Sequence, residues 1–382
     1  MLVVPPSEIP SNSRLGKYQV LRRFARGGMA DLYLGYLPGT LGAFRKLVVL
    51  KRVLPDYALD PELVRMFFNE ARLAATLAHP NVVSVYDVGA VDGNFFFAME
   101  YLLGRDLHEV VGAAPLGPLP LAHALAIATG VSAGLHYAHE KVGAGGKRLD
   151  IVHRDVSPSN VFITYDGQVK LLDFGLARAA GAAADGSGSV WGKPGYMSPE
   201  QCLGETLDRR SDVFSVGIIL YELTTGMPLF SRSGGGDAMR EIVIGKVMAP
   251  REIDPNYPPA LEAIVLKALA RDRLARFQSA RELLSALNGF IREAKIELSQ
   301  PRLSGYVENL FGDDIDGWRE AEARGIPFAQ HLASMALADC EEAKAIARSN
   351  ANGARGDLTP TRRLPEADLA ALRRSPPSPA VT

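Results

Sequence analysis

The sequence predicts an α+β fold in which a β-rich N-terminal lobe precedes a helical C-terminal lobe and a helical extension. Between Tyr18 and about Leu103, short runs of aliphatic, β-branched and aromatic residues, such as "RKLVVLKRV" and "NFFFAMEYL", are typical of strands. From about Leu119 to Lys295, apolar residues recur at helical spacing, as in "LAHALAIATGVSAGLHYAHE". The change from one period to the other indicates two successive lobes.

One helix interrupts the β-rich region. The stretch "DPELVRMFFNEARLAATLA" begins with Asp60 as N-cap and Pro61 in the first turn, and both residues are typical of a helix N-terminus. Its apolar residues share one face, so we expect an amphipathic helix. The residues of this face are Leu63, Met66, Phe67, Leu73 and Leu77.

The composition is that of an ordinary globular chain: of 382 residues, 47% are hydrophobic and 22% are charged. Forty-two basic and 43 acidic residues give a formal charge of −1, which argues against a nucleic-acid groove or a general affinity for anionic membranes. Cys202 and Cys340 lie far apart without a Cys/His cluster, so we expect no zinc site and a reducing, cytoplasmic location. The sequence contains no apolar run of about 18 residues, so we expect neither a membrane span nor a signal peptide.

Two stretches of the β-rich region suggest contacts with phosphate. The segment "ARGGMADLYLG" is rich in small residues, which let backbone amides approach a phosphate closely. Lys51 ends an apolar strand and could contact phosphates if a carboxylate such as Glu70 holds its ammonium group. Each feature alone is also compatible with a simple hairpin turn or a solvated surface residue, so neither establishes a nucleotide site.

A third stretch is more specific. "HRDVSPSN" supplies Asp155 as a base for a substrate hydroxyl and Asn160 as a neutral metal ligand, and "DFG" supplies Asp173 after the apolar strand "VKLL". Mg²⁺ prefers oxygen ligands and keeps several waters, so one carboxylate, one amide oxygen and the phosphates of ATP form a suitable coordination set. The two motifs together make coincidence negligible.

With these motifs the chain resembles the eukaryotic-like, or Hanks-type, Ser/Thr protein kinases of bacteria, and "HRDVSPSN" with "YMSPEQ" is most similar to soluble kinases of myxobacteria. The resemblance implies a two-lobed protein-kinase fold. The predicted segments are a flexible leader (1–16), the kinase domain (17–295, with the N-lobe at about 17–99, the hinge at about 100–106 and the C-lobe at about 107–295), a helical extension (296–350) and a disordered tail (351–382).

The resemblance implies transfer of the γ-phosphoryl group of ATP to Ser or Thr hydroxyls of protein substrates in bacterial signalling, with Mg²⁺ or alternatively Mn²⁺ as the metal. Asp155 would orient the attacking hydroxyl and accept its proton. Lys51 and Glu70 would position the α- and β-phosphates, while Asn160 and Asp173 would hold the metal. The other implied nucleotide-binding residues are Ala25, Gly27, Gly28, Leu32, Met99, Glu100, Leu102 and Asp106. The implied structural or regulatory residues are His153, Arg154, Phe174, Asp212, and Glu200 paired with Arg276.

Three departures from the family pattern bear on activity. Two loop glycines are replaced by Ala25 and Ala30, and alanine disfavours positive φ by about 1 kcal/mol. Ser157 replaces the Lys that contacts the γ-phosphate, and Lys193 replaces a Thr that hydrogen-bonds the catalytic Asp. We hypothesise that Lys193 supplies the missing charge; the alternative is that it projects into solvent and that the metal with Lys51 suffices.

Two other functions are kept as alternatives. A pseudokinase scaffold would bind nucleotide and partners without transfer, but its usual mark is the loss of Lys51, Asp155 or Asp173, and all three are present. A small-molecule phosphotransferase would lack the "YMSPEQ" segment and the helix that carries Asp212. Both are therefore disfavoured against the protein kinase.

The sequence leaves alternatives open for regulation and for the C-terminal region. Arg154 beside Asp155 is typical of kinases whose activation segment is ordered by a phosphate, here on Ser187 or Ser189, although a Gly/Ala-rich segment is often simply mobile. Beyond the kinase domain, two amphipathic stretches could pack on their own domain, bind a partner or inhibit the enzyme. Their apolar residues are Leu303, Tyr306, Val307 and Leu310 in the first, and Phe328, Leu332, Met335 and Ala338 in the second.

Overall fold

The computed structural model describes residues 8–27, 29–39, 45–174, 193–230, 235–313, 316, 317 and 320. The described residues divide into two compact units. The first takes in the chain up to Thr76 and Ser84–Leu102, and the second takes in Leu77–Val83 and Leu103–Leu310. The first unit is mostly sheet and the second mostly helix, which confirms the predicted order of the two lobes.

An antiparallel six-stranded sheet forms most of the first unit, in the order β1-β2-β3-β4-β6-β5. The sheet curls, as the contacts of Tyr18 on β2 with the strands at the other edge, β6 and β5, show. Its ring lies edge-on to Phe96 with centroids 6.2 Å apart, and its hydroxyl donates to Asp87 at 3.2 Å. The strands are β1 (Arg14–Leu15), β2 (Tyr18–Arg26), β3 (Ala30–Pro38), β4 (Arg45–Val53), β5 (Val85–Val91) and β6 (Asn94–Glu100).

A short helix, α1 (Pro55–Ala58), and a long one, α2 (Pro61–Ala75), complete the first unit. Asp60 caps α2, since its side chain accepts the N–H groups of Glu62 and Leu63 at 2.8 and 3.3 Å. The buried face of α2 packs on the sheet, where the ring of Phe67 lies 5.1 Å from that of Phe97 on β6. This packing fixes the position of Glu70 on the same face.

Residues 8–16, expected to belong to a flexible leader, instead contact the sheet. Ile9 is buried in one apolar cluster with Leu15, and its N–H donates to the hydroxyl of Tyr33 at 3.1 Å. Arg14–Leu15 pairs with the start of β2. The prediction is wrong for this part of the leader because two well-spaced apolar side chains cover the sheet, and this burial outweighs the Pro- and Ser-rich composition.

The second unit contains a three-stranded antiparallel sheet and nine of the helices in the described residues. Two helices, α4 and α6, are buried on most sides, which is typical of central helices. The strands are β7 (Gly104–Asp106), β8 (Val161–Thr164) and β9 (Val169–Leu171). The helices are α3 (Leu107–Ala113), α4 (Leu121–His139), α5 (Pro199–Cys202), α6 (Arg209–Thr225), α7 (Gly235–Ile244), α8 (Pro250–Ile253), α9 (Pro259–Ala268), α10 (Ala280–Glu293) and α11 (Gln300–Leu310).

The first amphipathic stretch of the predicted extension forms α11 and packs on its own unit. Leu303 and Val307 are buried, and the ring of Tyr306 lies 4.8 Å from His123 of α4. The helical unit therefore continues past the predicted boundary at residue 295. The second stretch and the tail lie outside the described residues. In the part of the chain that the structure describes, no helix has the length and apolar character needed to cross a membrane.

Candidate active site

The strand register puts the predicted nucleotide-binding residues of the first unit on one face of its sheet. Ala25 pairs with Leu32, Leu32 with Lys51, and Lys51 with Phe97. Residues paired across antiparallel strands point to the same face, and so does Met99, two positions after Phe97. The register thus brings side chains from four strands, β2, β3, β4 and β6, to one face of the sheet.

The turn between β2 and β3 is closed by the N–H of Gly27, which donates to the carbonyl of Ala30 at 2.8 Å. Ala25 and Ala30 both lie inside strands and are absent from the residues with positive φ. The two alanines therefore fit the hairpin without backbone strain, although the family pattern has glycine at both positions. Gly28 lies outside the described residues.

Lys51 and Glu70 approach each other within the first unit. The Lys51 Nζ lies 3.9 Å from the Glu70 Oε1, and the two side chains are only 16% and 11% exposed. The same ammonium group lies 5.6 Å from the centre of the Phe97 ring. The distance is that of an ion pair rather than a tight hydrogen bond, and the carboxylate helps to orient the ammonium group.

The predicted hinge residues lie at the ends of elements. Glu100 ends β6, and its N–H donates to the carbonyl of Ser84 at 2.8 Å. Leu102 is half-buried in the irregular segment that follows. Asp106, expected near the ribose, is the N-cap of α3, where it accepts the N–H of Glu109 at 2.8 Å. A carboxylate in this position also stabilises the helix end.

Asp212 on α6 holds the backbone of the catalytic loop in the second unit. Its carboxylate accepts the N–H groups of His153 and Arg154, each at 2.8 Å, and contacts the His139 Nε2 at 2.8 Å. Burial would raise the pKa of Asp212, but the hydrogen bond and charge of His139, with those of His153, hold the pKa below its usual value. Arg154 has a φ of 68°, so these bonds hold a non-glycine residue in the left-handed region.

The side chains of Asp155 and Asn160 are joined directly. The Asn160 Nδ2 donates to the carboxylate and to the carbonyl of Asp155, both at 2.8 Å. Because these bonds use the amide nitrogen, the carboxamide oxygen of Asn160 lies on the other side of the group, where it can serve as a ligand. The backbone of Asn160 accepts the N–H of Leu172 at 2.9 Å, which ties the loop to the residue before Asp173.

Asp173 has a φ of 39°, in the left-handed region, between two anchored neighbours. Leu172 accepts a hydrogen bond from His153 at 2.9 Å when the Nε2 of that ring carries the proton. Phe174 is buried, and its ring lies 4.6 Å from that of His153. A strained residue held between two fixed ones is typical of a functional position.

The donor set of Asn160 and Asp173 fits a small, hard cation such as Mg²⁺, which takes one or two protein oxygens and completes its shell with phosphate and water. Among the described residues, no group of three or more His, Cys, Asp or Glu side chains could hold a metal.

Glu200 and Arg276, the predicted pair at the end of the activation segment, form a buried bidentate ion pair. The two terminal nitrogens of Arg276 donate to the two carboxylate oxygens at 2.7 and 2.8 Å, and Ser211 donates at 2.7 Å. Burial would raise the pKa of Glu200, but the hydrogen bonds and charge of Arg276 hold the pKa below its usual value. This pair fixes α5 within the second unit.

Two residues of the site, Gln201 and His139, were missed by sequence reasoning. The Gln201 Nε2 donates to the carbonyl of Arg154 at 2.8 Å, so the end of the activation segment is bonded to the catalytic loop. Gln201 also forms a capping box with Ser198 at the start of α5. The pattern S-x-x-Q in "SPEQ" was the available signal for this cap, whereas the His139 contact to Asp212 left no local signal.

The two departures from the family pattern in this unit have different settings. Ser157 is fully buried, and its hydroxyl lies 3.3 Å from that of Ser159. Lys193 is half-buried and precedes a 3₁₀ turn, where its carbonyl accepts the N–H of Tyr196 at 2.9 Å. Ser187 and Ser189 lie outside the described residues.

Comparison with known proteins agrees with this arrangement. The protein kinase domain model matches residues 18–287. Relatives include Tyrosine-protein kinase MasK of Myxococcus xanthus, 40% identical over 309 residues that cover 80% of this chain and 48% of the relative. Another is Serine/threonine-protein kinase PrkC of Bacillus subtilis, 36% identical over 270 residues that cover 70% of this chain and 39% of the relative. This chain thus spans less than half the length of either relative.

Among solved structures, the PknI kinase domain of Mycobacterium tuberculosis is similar, with a TM-score of 0.57 and 30% sequence identity over 74% of this chain and 98% of that chain. The similarity extends over both the sheet and the helical region, and the relatives named above are bacterial kinases, as the sequence motifs predicted. The chain belongs to the protein kinase family.

Proposed function

We propose that this chain is an ATP-dependent protein kinase that transfers the γ-phosphoryl group of ATP to Ser or Thr hydroxyls of protein substrates. The observation that carries the proposal is the fixed carboxylate of Asp155, which is bonded to Asn160 at 2.8 Å on a loop whose backbone is bonded to Asp212. A carboxylate held in this way is suited to receiving a proton from a hydroxyl. The Ser/Thr kinases among the relatives support the choice of acceptor.

The roles of the other residues follow from their settings. Asp155 takes the proton of the hydroxyl as its oxygen bonds to phosphorus, and ADP leaves with the pair of electrons of the broken bond. Asn160 and Asp173 would hold Mg²⁺, or alternatively Mn²⁺, which neutralises charge on the phosphates when bound. Lys51, oriented by Glu70, would contact the α- and β-phosphates.

The experiment that tests the proposal is phosphoryl transfer from radiolabelled Mg-ATP to a generic protein substrate by the purified chain, compared with Asp155→Asn. We expect Asp155→Asn to lower the rate by about 10²–10⁴-fold, because the positioned base is lost. Nucleotide binding without transfer by the unsubstituted chain would contradict the proposal and favour a scaffold. Intact mass after incubation with ATP would show self-phosphorylation separately.

Tyrosine is a second candidate acceptor. Ser157 is buried and carries no charge where Ser/Thr kinases have Lys, and one relative is named a tyrosine kinase. Analysis of phosphoamino acids in the labelled substrate decides between the two. We expect phosphoserine and phosphothreonine; phosphotyrosine alone would replace the first candidate with the second.

Lys193 remains our candidate for the charge missing at Ser157. Two unit charges about 4 Å apart interact by about 4 kcal/mol at an effective dielectric near 20, enough to affect the transfer step. The variant Lys193→Met should therefore lower kcat by at least about tenfold, whereas the exposed Lys246→Met should not. Full activity of Lys193→Met would refute the hypothesis.

A further inference from the structure

Asp31 lies on the face of the sheet opposite to Lys51. It pairs with Arg26 of β2 and Arg52 of β4, whereas its neighbour Leu32 pairs with Lys51. The Asp31 side chain is 0% exposed, with the Arg26 Nε at 3.7 Å and the Arg23 Nη1 at 3.9 Å. Within the described part of the chain, neither carboxylate oxygen of Asp31 accepts a hydrogen bond.

A buried carboxylate in this setting costs stability. Three arginines, Arg23, Arg26 and Arg52, would lower the pKa of Asp31, but burial outweighs them and raises the pKa above its usual value. The folded state therefore disfavours the charged form of Asp31, so a neutral side chain of the same size should be tolerated here at neutral pH. The charge of Asp31 therefore does not stabilise the sheet. Its effect is better explained by the side chains that it holds in place.

The arginines near Asp31 connect the two strands of the β2–β3 hairpin and the segment that precedes it. Arg26 directly precedes Gly27, whose N–H closes the turn onto Ala30. Arg23 also lies 3.4 Å from Glu8, in the N-terminal segment that covers the sheet. The pairing of β2 with β3 shifts register between Arg23 and Ala25, so backbone hydrogen bonds hold this end of the hairpin less regularly than the rest. Side-chain charges therefore add a restraint between the two strands at this end of the hairpin.

We propose that Asp31 is a positioning residue for the nucleotide, which acts through Arg23 and Arg26 to hold the β2–β3 hairpin in the arrangement that covers the phosphates of ATP. The inference rests on the proposed function, because it assumes that this hairpin binds ATP. A hairpin held in its binding arrangement spends a larger fraction of time competent to bind, and apparent affinity scales with that fraction.

The test is Asp31→Asn, which keeps the size of the side chain and removes its charge. Binding of a fluorescent ATP analogue should weaken by about three- to tenfold, and the KM for ATP should rise by a similar factor with kcat within about twofold. The free energy of unfolding in urea should stay equal or rise. Asp92→Asn, at an exposed turn of the same unit, is the matched control and should change none of these quantities.

A double-mutant cycle tests the route through Arg26. If Asp31 acts through that side chain, Asp31→Asn should weaken binding less in an Arg26→Gln background than in the unsubstituted chain. Additive effects on the dissociation constant would overturn this route. A binding loss that accompanies a large loss of stability would assign Asp31 a structural role and overturn the proposal, as would unchanged binding.

The two proposals can fail separately. If the unsubstituted chain binds the ATP analogue but transfers no phosphate, the proposed function is wrong. The dissociation constants of the variants still test whether Asp31 positions the hairpin. Hydrogen exchange of the Gly27 amide without nucleotide gives a further readout. It should be faster in Asp31→Asn than in Asp92→Asn, and equal rates would contradict a positioning role.

Discussion

The loop that carries Asp155 in the second unit and the β2–β3 hairpin of the first unit hold their charged groups in contrasting ways. The buried carboxylate of Asp212 has three polar partners at 2.8 Å. The carboxylate of Glu200 accepts hydrogen bonds from both terminal nitrogens of Arg276. In the first unit, Lys51 lies 3.9 Å from Glu70, and Asp31 has its arginines at 3.7 and 3.9 Å without a hydrogen bond.

The difference separates two needs of phosphoryl transfer. In the proposed reaction, the base and the metal ligands must keep one geometry, so multiple short hydrogen bonds in a dry interior suit them. The groups that receive and release the nucleotide must adjust at each turnover, so longer ionic contacts suit them. The contrast predicts that substitutions in the two regions will divide differently between stability and activity.

Asp212→Asn should have the largest effect, because it removes a buried charge and turns an amide N–H toward backbone N–H donors. We expect a loss of about 3–5 kcal/mol in the free energy of unfolding and a fall in kcat of about a hundredfold or more. Urea unfolding and steady-state kinetics measure the two. Asp208→Asn, at the N-cap of the same helix, is the control and should cost less than about 1 kcal/mol. Equal losses in both variants would remove the contrast.

The pH dependence of stability should have opposite signs in the two regions. Glu200 has a lowered pKa, so its stabilisation is complete above the unfolded value of about 4.3 and is lost as pH falls through the folded value. Asp31 has a raised pKa, so its contribution is complete below about 3.9 and is lost as pH rises through the folded value.

Urea unfolding between about pH 3.5 and 7 checks both signs. The advantage of the unsubstituted chain over Glu200→Gln should shrink below about pH 4, while the advantage of Asp31→Asn over the unsubstituted chain should grow above about pH 4. The charges facing Asp31 are Arg23, Arg26, Arg52 and Glu8. Parallel trends in the two variants would contradict the contrast.

Glu70→Gln should cost less stability than Asp212→Asn. Its partner Lys51 lies 3.9 Å away, a long distance for an ion pair, but both side chains are mostly buried, so the free energy of unfolding should fall by about 1–2 kcal/mol. The KM for ATP should nevertheless rise by about tenfold, because the ammonium group loses its orientation. Glu62→Gln, which removes an exposed partner of Arg65 on the same helix, should alter neither quantity. A stability loss as large as that of Asp212→Asn would show that the charged groups of the two regions contribute equally to stability, which contradicts the contrast.

The sequence was sufficient where the chemistry is local and insufficient where contacts join distant segments. Asp155, Asn160 and Asp173 stand in short motifs with fixed spacing, and short runs of aliphatic, β-branched and aromatic residues were enough to predict the strands. The contact of His139 with Asp212 spans 73 residues, and that of Gln201 with Arg154 spans 47. Neither leaves a periodic pattern.

Two boundaries were misjudged for a related reason. The Pro- and Ser-rich composition predicted that residues 8–16 belong to a flexible leader. Ile9 is buried, however, against sheet residues that are distant in sequence, and composition does not predict such contacts. Likewise, the stripe of α11 was expected to pack on its own domain, with partner binding as an alternative, and the contact of Tyr306 with His123 on α4 shows the former. The position of Asp31 was accessible in principle, because alternation in "ADLYL" puts it opposite Leu32.

The packing of α11 has a practical consequence for producing the protein. The family match ends at residue 287, but α11 begins at Gln300 and covers the hairpin between β8 and β9. Gly167 in that hairpin has a φ of 81°, and a Cβ there would lie 2.3 Å from the carbonyl oxygen of Gln300. A chain shortened to the family match would leave the surface beneath Leu303 and Val307 open to water. Such a fragment would be inclined to self-associate on storage, and retaining the chain through Leu310 would avoid that source of aggregation.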